Sequence, residues 1–113
     1  LDRLTAFRRD VEQRWAGFDV LLTPTSAALP WPIGEPYPQS IDGRPTNPRS
    51  ASIFATWVNA AGLPAVSVPV APSGAGMPIG LQLIGPYGAD DEVLNVAEAF
   101  ERRCPWNQRR PPL

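Results

Sequence analysis

The 113-residue chain contains no histidine and no lysine, and all ten of its basic residues are arginines. Without histidine there is no Ser–His or Cys–His nucleophile pair and no imidazole metal ligand. Without lysine there is no Schiff base and no Ser–Lys dyad. The single cysteine, Cys104, can form neither an intrachain disulfide nor a thiolate zinc site. Long hydrophobic runs are also missing: none approaches the roughly 18 residues of a membrane helix, and the N-terminus does not read as a signal peptide. Charge of neither sign prevails. The formal net charge is -1, which leaves no electrostatic footprint for nucleic acid or an anionic membrane surface. What remains as acid or base is eleven carboxylates, two tyrosines and one thiol. If the chain belongs to an enzyme, much of the usual catalytic equipment is expected to lie elsewhere.

Turn-forming residues are plentiful instead. Fifteen prolines and nine glycines among 113 residues stay just under the roughly 25–30% typical of low-complexity sequence. The length suits one domain or a piece of a larger one. The chain opens on Leu1 inside a helical pattern, which suggests a piece of a longer, soluble protein.

Leu1, Leu4, Phe7, Val11 and Trp15 recur at three and four, the spacing of an amphipathic helix, and Gly17 stands where a left-handed cap is needed. Residues 19–23 form a short apolar run closed by Pro24, as in a buried strand. Residues 24–49 are proline-rich and aperiodic, so they are expected to be one long loop. Residues 50–61 regain helical spacing, with Ile53, Trp57 and Ala60 or Ala61 on one face, Ser50 as N-cap and Gly62 as stop. Residues 65–70 and 79–84 are predicted to pair as a hairpin, with Pro69 leaving its end unpaired or bulged. A last helix is expected from an Asp90 or Asp91 cap, burying Val93, Val96, Ala97 and Phe100 and ending before Pro105.

Individual motifs are weak. Residues 74–80 (GAGMPIG) place the third glycine one position late for a dinucleotide fingerprint and lack a following helix, so a hairpin turn is the simpler reading. Residues 30–38 space their prolines by four where a PxxP ligand needs three, which favours a rigid loop over a recognition segment. Cys104 sits at a helix C-terminus, away from the N-terminal position that activates a thiol, and is expected to be a buried or half-buried ordinary thiol. Asp90, Asp91 and Glu92 at a helix start are dipole complements before they are metal ligands. No serine lies in a Gly-x-Ser-x-Gly elbow.

Three segments taken together resemble one family. Residues 19–25 (DVLLTPT), 57–69 (WVNAAGLPAVSVP) and 76–85 (GMPIGLQLIG) are similar, in order and spacing, to the C-terminal part of amidase-signature enzymes. The resemblance implies an α/β fold, a mixed sheet flanked by helices on both faces, with residues 1–113 as a C-terminal segment and residues 24–49 as a pocket-side loop. It also implies hydrolysis or transfer of amide groups by a Ser, a second Ser in a cis peptide and a Lys, all located upstream and absent here. No catalytic residue, metal or cofactor is therefore assigned to this chain. It is expected to be inactive alone, to complete the fold with the upstream half of a cytoplasmic enzyme, and to wall part of a small-molecule amide pocket.

The resemblance places that wall around residues 49–61, and Arg49, Ser52 and Thr56 at three and four apart share a helix face that Ile53 borders. Thr23 and Thr25, at the strand end facing the loop, complete the candidate substrate contacts. Family members acting on glutamine carried by tRNA hold an acidic residue seven before the motif Asn. The matching residue before Asn59 is Ser52, which favours a neutral amide. The simpler alternatives are a surface ion pair for Arg49, back-bonding of Thr56 to its own helix, and satisfaction of buried backbone groups by Gln82. A non-catalytic binding module using its proline-rich loop, a degenerate relative and a homo-oligomeric enzyme stay open at this point.

Overall fold

The computed structural model describes residues 2–110. Leu1 of the first helical stripe and Pro111–Leu113 of the tail lie outside the described residues. Helix α1 spans Asp2–Arg14, and its end carries an i,i+4 bond from Arg14 Nε to Asp10 at 2.9 Å. That hydrogen bond raises the Arg14 pKa. Gly17 takes φ 105°, the left-handed geometry expected of it.

Strand β1 (Leu21–Pro24) pairs antiparallel with β5 (Gly80–Ile84), and β5 pairs antiparallel with β4 (Ala65–Pro69). The sheet order is β1-β5-β4, with the most apolar strand in the centre. The predicted hairpin is therefore present, and every pairing among the described residues is antiparallel.

Pro24 is the last residue of β1, as expected, whereas Pro69 stays in the ladder opposite Gly80, against the expectation that it leaves its end unpaired or bulged. The alternation of antiparallel bonds explains both. Thr25 N donates to Gly80 O and Val70 N donates to Ile79 O, each at 3.0 Å. Pro24 opposite Leu81 and Pro69 opposite Gly80 then fall on non-hydrogen-bonded pairs. Their missing N–H groups face away from β5, on the outer edges where proline is tolerated.

Side chains alternate across β5. Leu81 and Leu83 point to the face covered by α3 (Asp90–Arg103), where Val68, Leu83, Val93 and Ala97 form the core. Gly85 follows on this face, and a Cβ there would overlap Val93 Cγ2. Gln82 and Ile84 point to the other face. There α2 (Ile53–Ala61) buries Val58 and Ala61, and its Phe54 carbonyl accepts from Gln82. Helices thus flank the sheet on both faces, as expected for the α/β class.

The helix termini depart from expectation. Ser50 does not cap α2: a turn of 3-10 helix at Ser50–Ser52 precedes it, and Ser50 Oγ instead accepts from Asn47 N. Asn47 Oδ1 accepts from Arg49 N, so an asparagine turn organises this entry. Gly62 ends α2 at φ 74°, donating its N–H to Val58 and Asn59 carbonyls, as predicted. Neither Asp90 nor Asp91 caps α3. Ala89 is its N-cap without a side-chain bond, and the three acids occupy the first turn, where they complement the dipole.

Val96, expected in the α3 stripe, is 38% exposed, because it lies on the flank of the helix. Cys104 is exposed, not buried, since the chain leaves α3 at that residue. The long loop also holds a two-strand hairpin, β2 (Ser40–Ile41) and β3 (Arg44–Pro45). Asp42 and Gly43 make its turn with φ 51° and 71°, the double positive geometry that Asp-Gly favours.

Candidate functional site

Gly80 begins the central strand, and its side-chain position faces the same side of the sheet as Gln82. Across the ladder the same face receives Thr23 and Thr25 from one flanking strand and Ser67 from the other. The result is a polar row on one sheet face, one half covered by α2 and the other half open.

In the covered half, Gln82 is 6% exposed. Its Nε2 donates to Thr23 Oγ1 at 2.9 Å and to Phe54 O at 3.1 Å. Thr23 Oγ1 donates onward to Pro24 O at 3.0 Å. Gln82 therefore adds a second bond to a carbonyl already within the helical ladder of α2, and Thr23 is committed to the interior.

In the open half, Thr25 Oγ1 and Ser67 Oγ meet at 2.6 Å directly over Gly80. A Cβ on Gly80 would lie 2.6 Å from Ser67 Oγ and 2.7 Å from Thr25 Oγ1, so only glycine leaves room for the pair. The two hydroxyls line a cleft of about 500 Å³ whose other walls include Leu29, Pro30, Trp31 and Ile79. Trp31 is held by its Nε1 donating to Glu35 O at 3.0 Å. The root of the loop is tied to the 3-10 turn by Ala27 N and Ser26 Oγ, both donating to Ala51 O at 3.0 and 3.4 Å. Thr46 donates to the Pro38 carbonyl farther along, so the loop is internally braced.

A second cleft, of about 490 Å³, runs between α1 and the start of α2. Arg49, Ile53 and Thr56 line it with Phe7, Asn47 and Trp57. Ile53 is 61% exposed there, in place of a helix core position. Arg49 makes no ion pair among the described residues, and none of the residues lining this cleft is acidic. Thr56 Oγ1 donates to Ser52 O at 2.9 Å, the helical back-bond weighed as its simpler role. Ser52 Oγ donates to Arg49 O at 3.1 Å and lines neither cleft.

The six sequence candidates thus divide: Thr25 stands in one cleft, Arg49, Ile53 and Thr56 in the other, and Thr23 and Ser52 hold local structure beside them. Ser67 and Gly80 were not among the candidates. The signal for them was strand alternation, which puts Ser67 on the same face as Thr25 once the register is known. Among the described residues no group of three or more His, Cys, Asp or Glu is placed to hold a metal ion, and no helix is long and apolar enough to cross a membrane.

A family model for amidases matches residues 1–94. The chain belongs to the amidase family. Within it, the chain is 38% identical over 121 aligned positions to the 6-aminohexanoate-cyclic-dimer hydrolase of Pseudomonas sp., taking in 100% of this chain and 24% of that protein. It is also 38% identical over 113 positions to a glutamyl-tRNA(Gln) amidotransferase subunit of Aromatoleum aromaticum, with 100% and 22% covered. A solved 6-aminohexanoate cyclic dimer hydrolase superposes with TM-score 0.84 at 36% identity over 97% of this chain and 24% of the other. A bacterial aryl acylamidase of the amidase-signature family gives 0.80 at 30% identity, over 96% and 24%. The amidase chain thus spans about a quarter of the length of these relatives. The family resemblance and fold class read from its three segments are borne out.

Proposed function

We propose that this chain is the C-terminal portion of an amidase-signature hydrolase that cleaves the C–N bond of carboxylic amides. In that enzyme an upstream Ser attacks the amide carbonyl, a relay through the second Ser and the Lys protonates the leaving amine, and water then releases the acid and restores the Ser. This portion completes the fold and contributes pocket walls. The observation that carries the reading is that 97% of the chain follows a hydrolase backbone at TM-score 0.84 while holding no lysine of its own. This reading takes the whole enzyme to be cytoplasmic, with the upstream half as this portion's partner.

The substrate is a neutral amide. Relatives of both kinds, cyclic-dimer hydrolase and tRNA-dependent amidotransferase, share the same 38% identity, so overall likeness does not choose between them. The local chemistry does. Ser52 stands where an ammonium-binding carboxylate is expected in the tRNA-dependent members. The cleft beside it presents Arg49 and no acid, a field that repels an ammonium group. Support also comes from the apolar lining of both clefts, which suits an uncharged substrate body.

The test is hydrolysis by the full-length protein of simple uncharged amides beside glutamine carried on tRNA. Faster turnover of the simple amides is expected. Faster conversion of the tRNA substrate overturns the substrate assignment, and no amide cleavage at all overturns the hydrolase.

A further inference from the structure

The open half of the polar row contains a hydrogen that no described residue accepts. Thr25 Oγ1 and Ser67 Oγ lie 2.6 Å apart, and each hydroxyl carries one donor and two acceptor lone pairs. One proton is spent between them. Neither oxygen makes any other side-chain hydrogen bond, so the second O–H is left over. It sits among Leu29, Pro30, Trp31 and Ile79, in a cleft whose remaining side chains are apolar apart from Ser26, which is bonded to the Ala51 carbonyl. The Thr25, Ala27 and Ala28 amides are bonded to Gly80 O, Ala51 O and Ser26 Oγ. The Gly80 and Ile79 carbonyls accept from Thr25 and Val70.

Few polar groups in an apolar cleft give orientation and discrimination, because each is costly to leave unmatched once water is displaced. The pair is also held rigidly. Its two oxygens come from different strands, are fixed by the register on either side of β5, and exist only because residue 80 lacks a side chain. A donor fixed in this way loses little side-chain entropy on binding.

We propose that the Thr25–Ser67 hydroxyl pair is the polar anchor of a substrate subsite. The cleft takes the apolar body of the amide, and the pair donates its spare O–H to one acceptor oxygen on that body, away from the scissile bond. This inference rests on the amide reading above and adds the substrate feature recognised: an uncharged chain or ring bearing one further carbonyl-type acceptor. Thr25 was a sequence candidate; Ser67 and the need for glycine at residue 80 come from the structure.

The experiment measures equilibrium binding by calorimetry to the full-length protein with its upstream nucleophilic Ser changed to Ala, so that nothing is cleaved during the titration, for heptanamide and for its 4-, 5- and 6-oxo derivatives, which differ only in carrying one carbonyl. At least one oxo derivative is expected to bind about fivefold or more tightly than heptanamide, the size of one net hydrogen bond. In the double variant Thr25→Val/Ser67→Ala that preference disappears while heptanamide still binds. Removing both partners together leaves no orphaned hydroxyl, so this variant is expected to fold. Thr25→Ser keeps the preference. The anchor is overturned if no oxo derivative is preferred, or if the preference survives in the double variant. Because binding is read without turnover, a protein that shows the preference but cleaves no amide sinks the hydrolase and not the anchor, and a hydrolase with no preference does the reverse.

Discussion

Gln82 reaches along the sheet face to donate from Nε2 to Thr23 Oγ1 at 2.9 Å, while its second Nε2 hydrogen goes to the Phe54 carbonyl at 3.1 Å. One buried amide therefore joins two strands and α2. Gln82→Leu keeps the volume but removes both bonds, and is expected to cost about 1–3 kcal/mol. Thr23→Val leaves the bond to Phe54 in place and is expected to cost less. A double-mutant cycle on the full-length protein, read by denaturant unfolding, should return coupling of about 0.5–1.5 kcal/mol between the two. Additive losses would mean that the 2.9 Å bond contributes nothing.

Gly85 and Val93 pack so closely that a Cβ at residue 85 would overlap Val93 Cγ2. Both lie on the core face, where α3 crosses the end of β5. Gly85→Ala is expected to destabilise by about 1–3 kcal/mol through overpacking. Adding Val93→Ala makes room and should recover part of the loss, although Val93→Ala alone is destabilising. Thermal unfolding of the four proteins tests this sign reversal. Independent, additive losses would refute the close approach.

The segments readable in the sequence were those where one period or one residue decides. The 3.6 spacing of Leu4, Phe7, Val11 and Trp15 points to α1, and Gly62 ahead of Pro64 marks the end of α2. Alternating valines mark β4. Apart from the hairpin inside the long loop, the misreadings depended on direction, not on type. Whether Pro69 frays a strand depends on which N–H groups face the neighbour, and that is a property of register. Whether Ser50 or Asn47 organises the entry to α2 depends on backbone geometry that several Asn/Ser patterns satisfy. Asp42-Gly43 was a readable hairpin signal obscured by the surrounding prolines. The site divided in the same way: Thr25 was within reach because it ends a strand, whereas Ser67 and Gly80 acquire meaning only when three strands are aligned.

The chain alone is expected to be only marginally folded. Its Cα radius of gyration is 16.1 Å, against roughly 13 Å for a compact domain of this length. Leu22, Ile33 and Leu94 are more than half exposed. The indole N–H groups of Trp15 and Trp106 are buried with no acceptor among the described residues. These groups want neighbours that a larger protein supplies. The isolated chain should unfold broadly, bind a hydrophobic dye and show no amide hydrolysis above background. A sharp cooperative melt, or turnover that co-purifies with the chain, would contradict this.

Charge at the second cleft gives the last prediction. Arg49, just before the 3-10 turn, lines it without an ion-pair partner among the described residues, and Ser52 ends that turn, its Oγ donating to the Arg49 carbonyl. A carboxylate introduced by Ser52→Asp would favour an ammonium-bearing substrate, but Arg49 would neutralise most of its field. The single variant should therefore change the preference between 6-aminohexanamide and hexanamide only slightly. In Ser52→Asp/Arg49→Gln the new charge is unopposed. At several ångströms and a near-surface dielectric it is worth about 1–2 kcal/mol, roughly a tenfold shift in relative kcat/KM toward the amino-amide. The shift should shrink in high salt, as expected of a partly solvated charge. If the double variant leaves the ratio unchanged at low salt, this cleft does not meet the substrate, and the pocket lies on the Thr25 side alone.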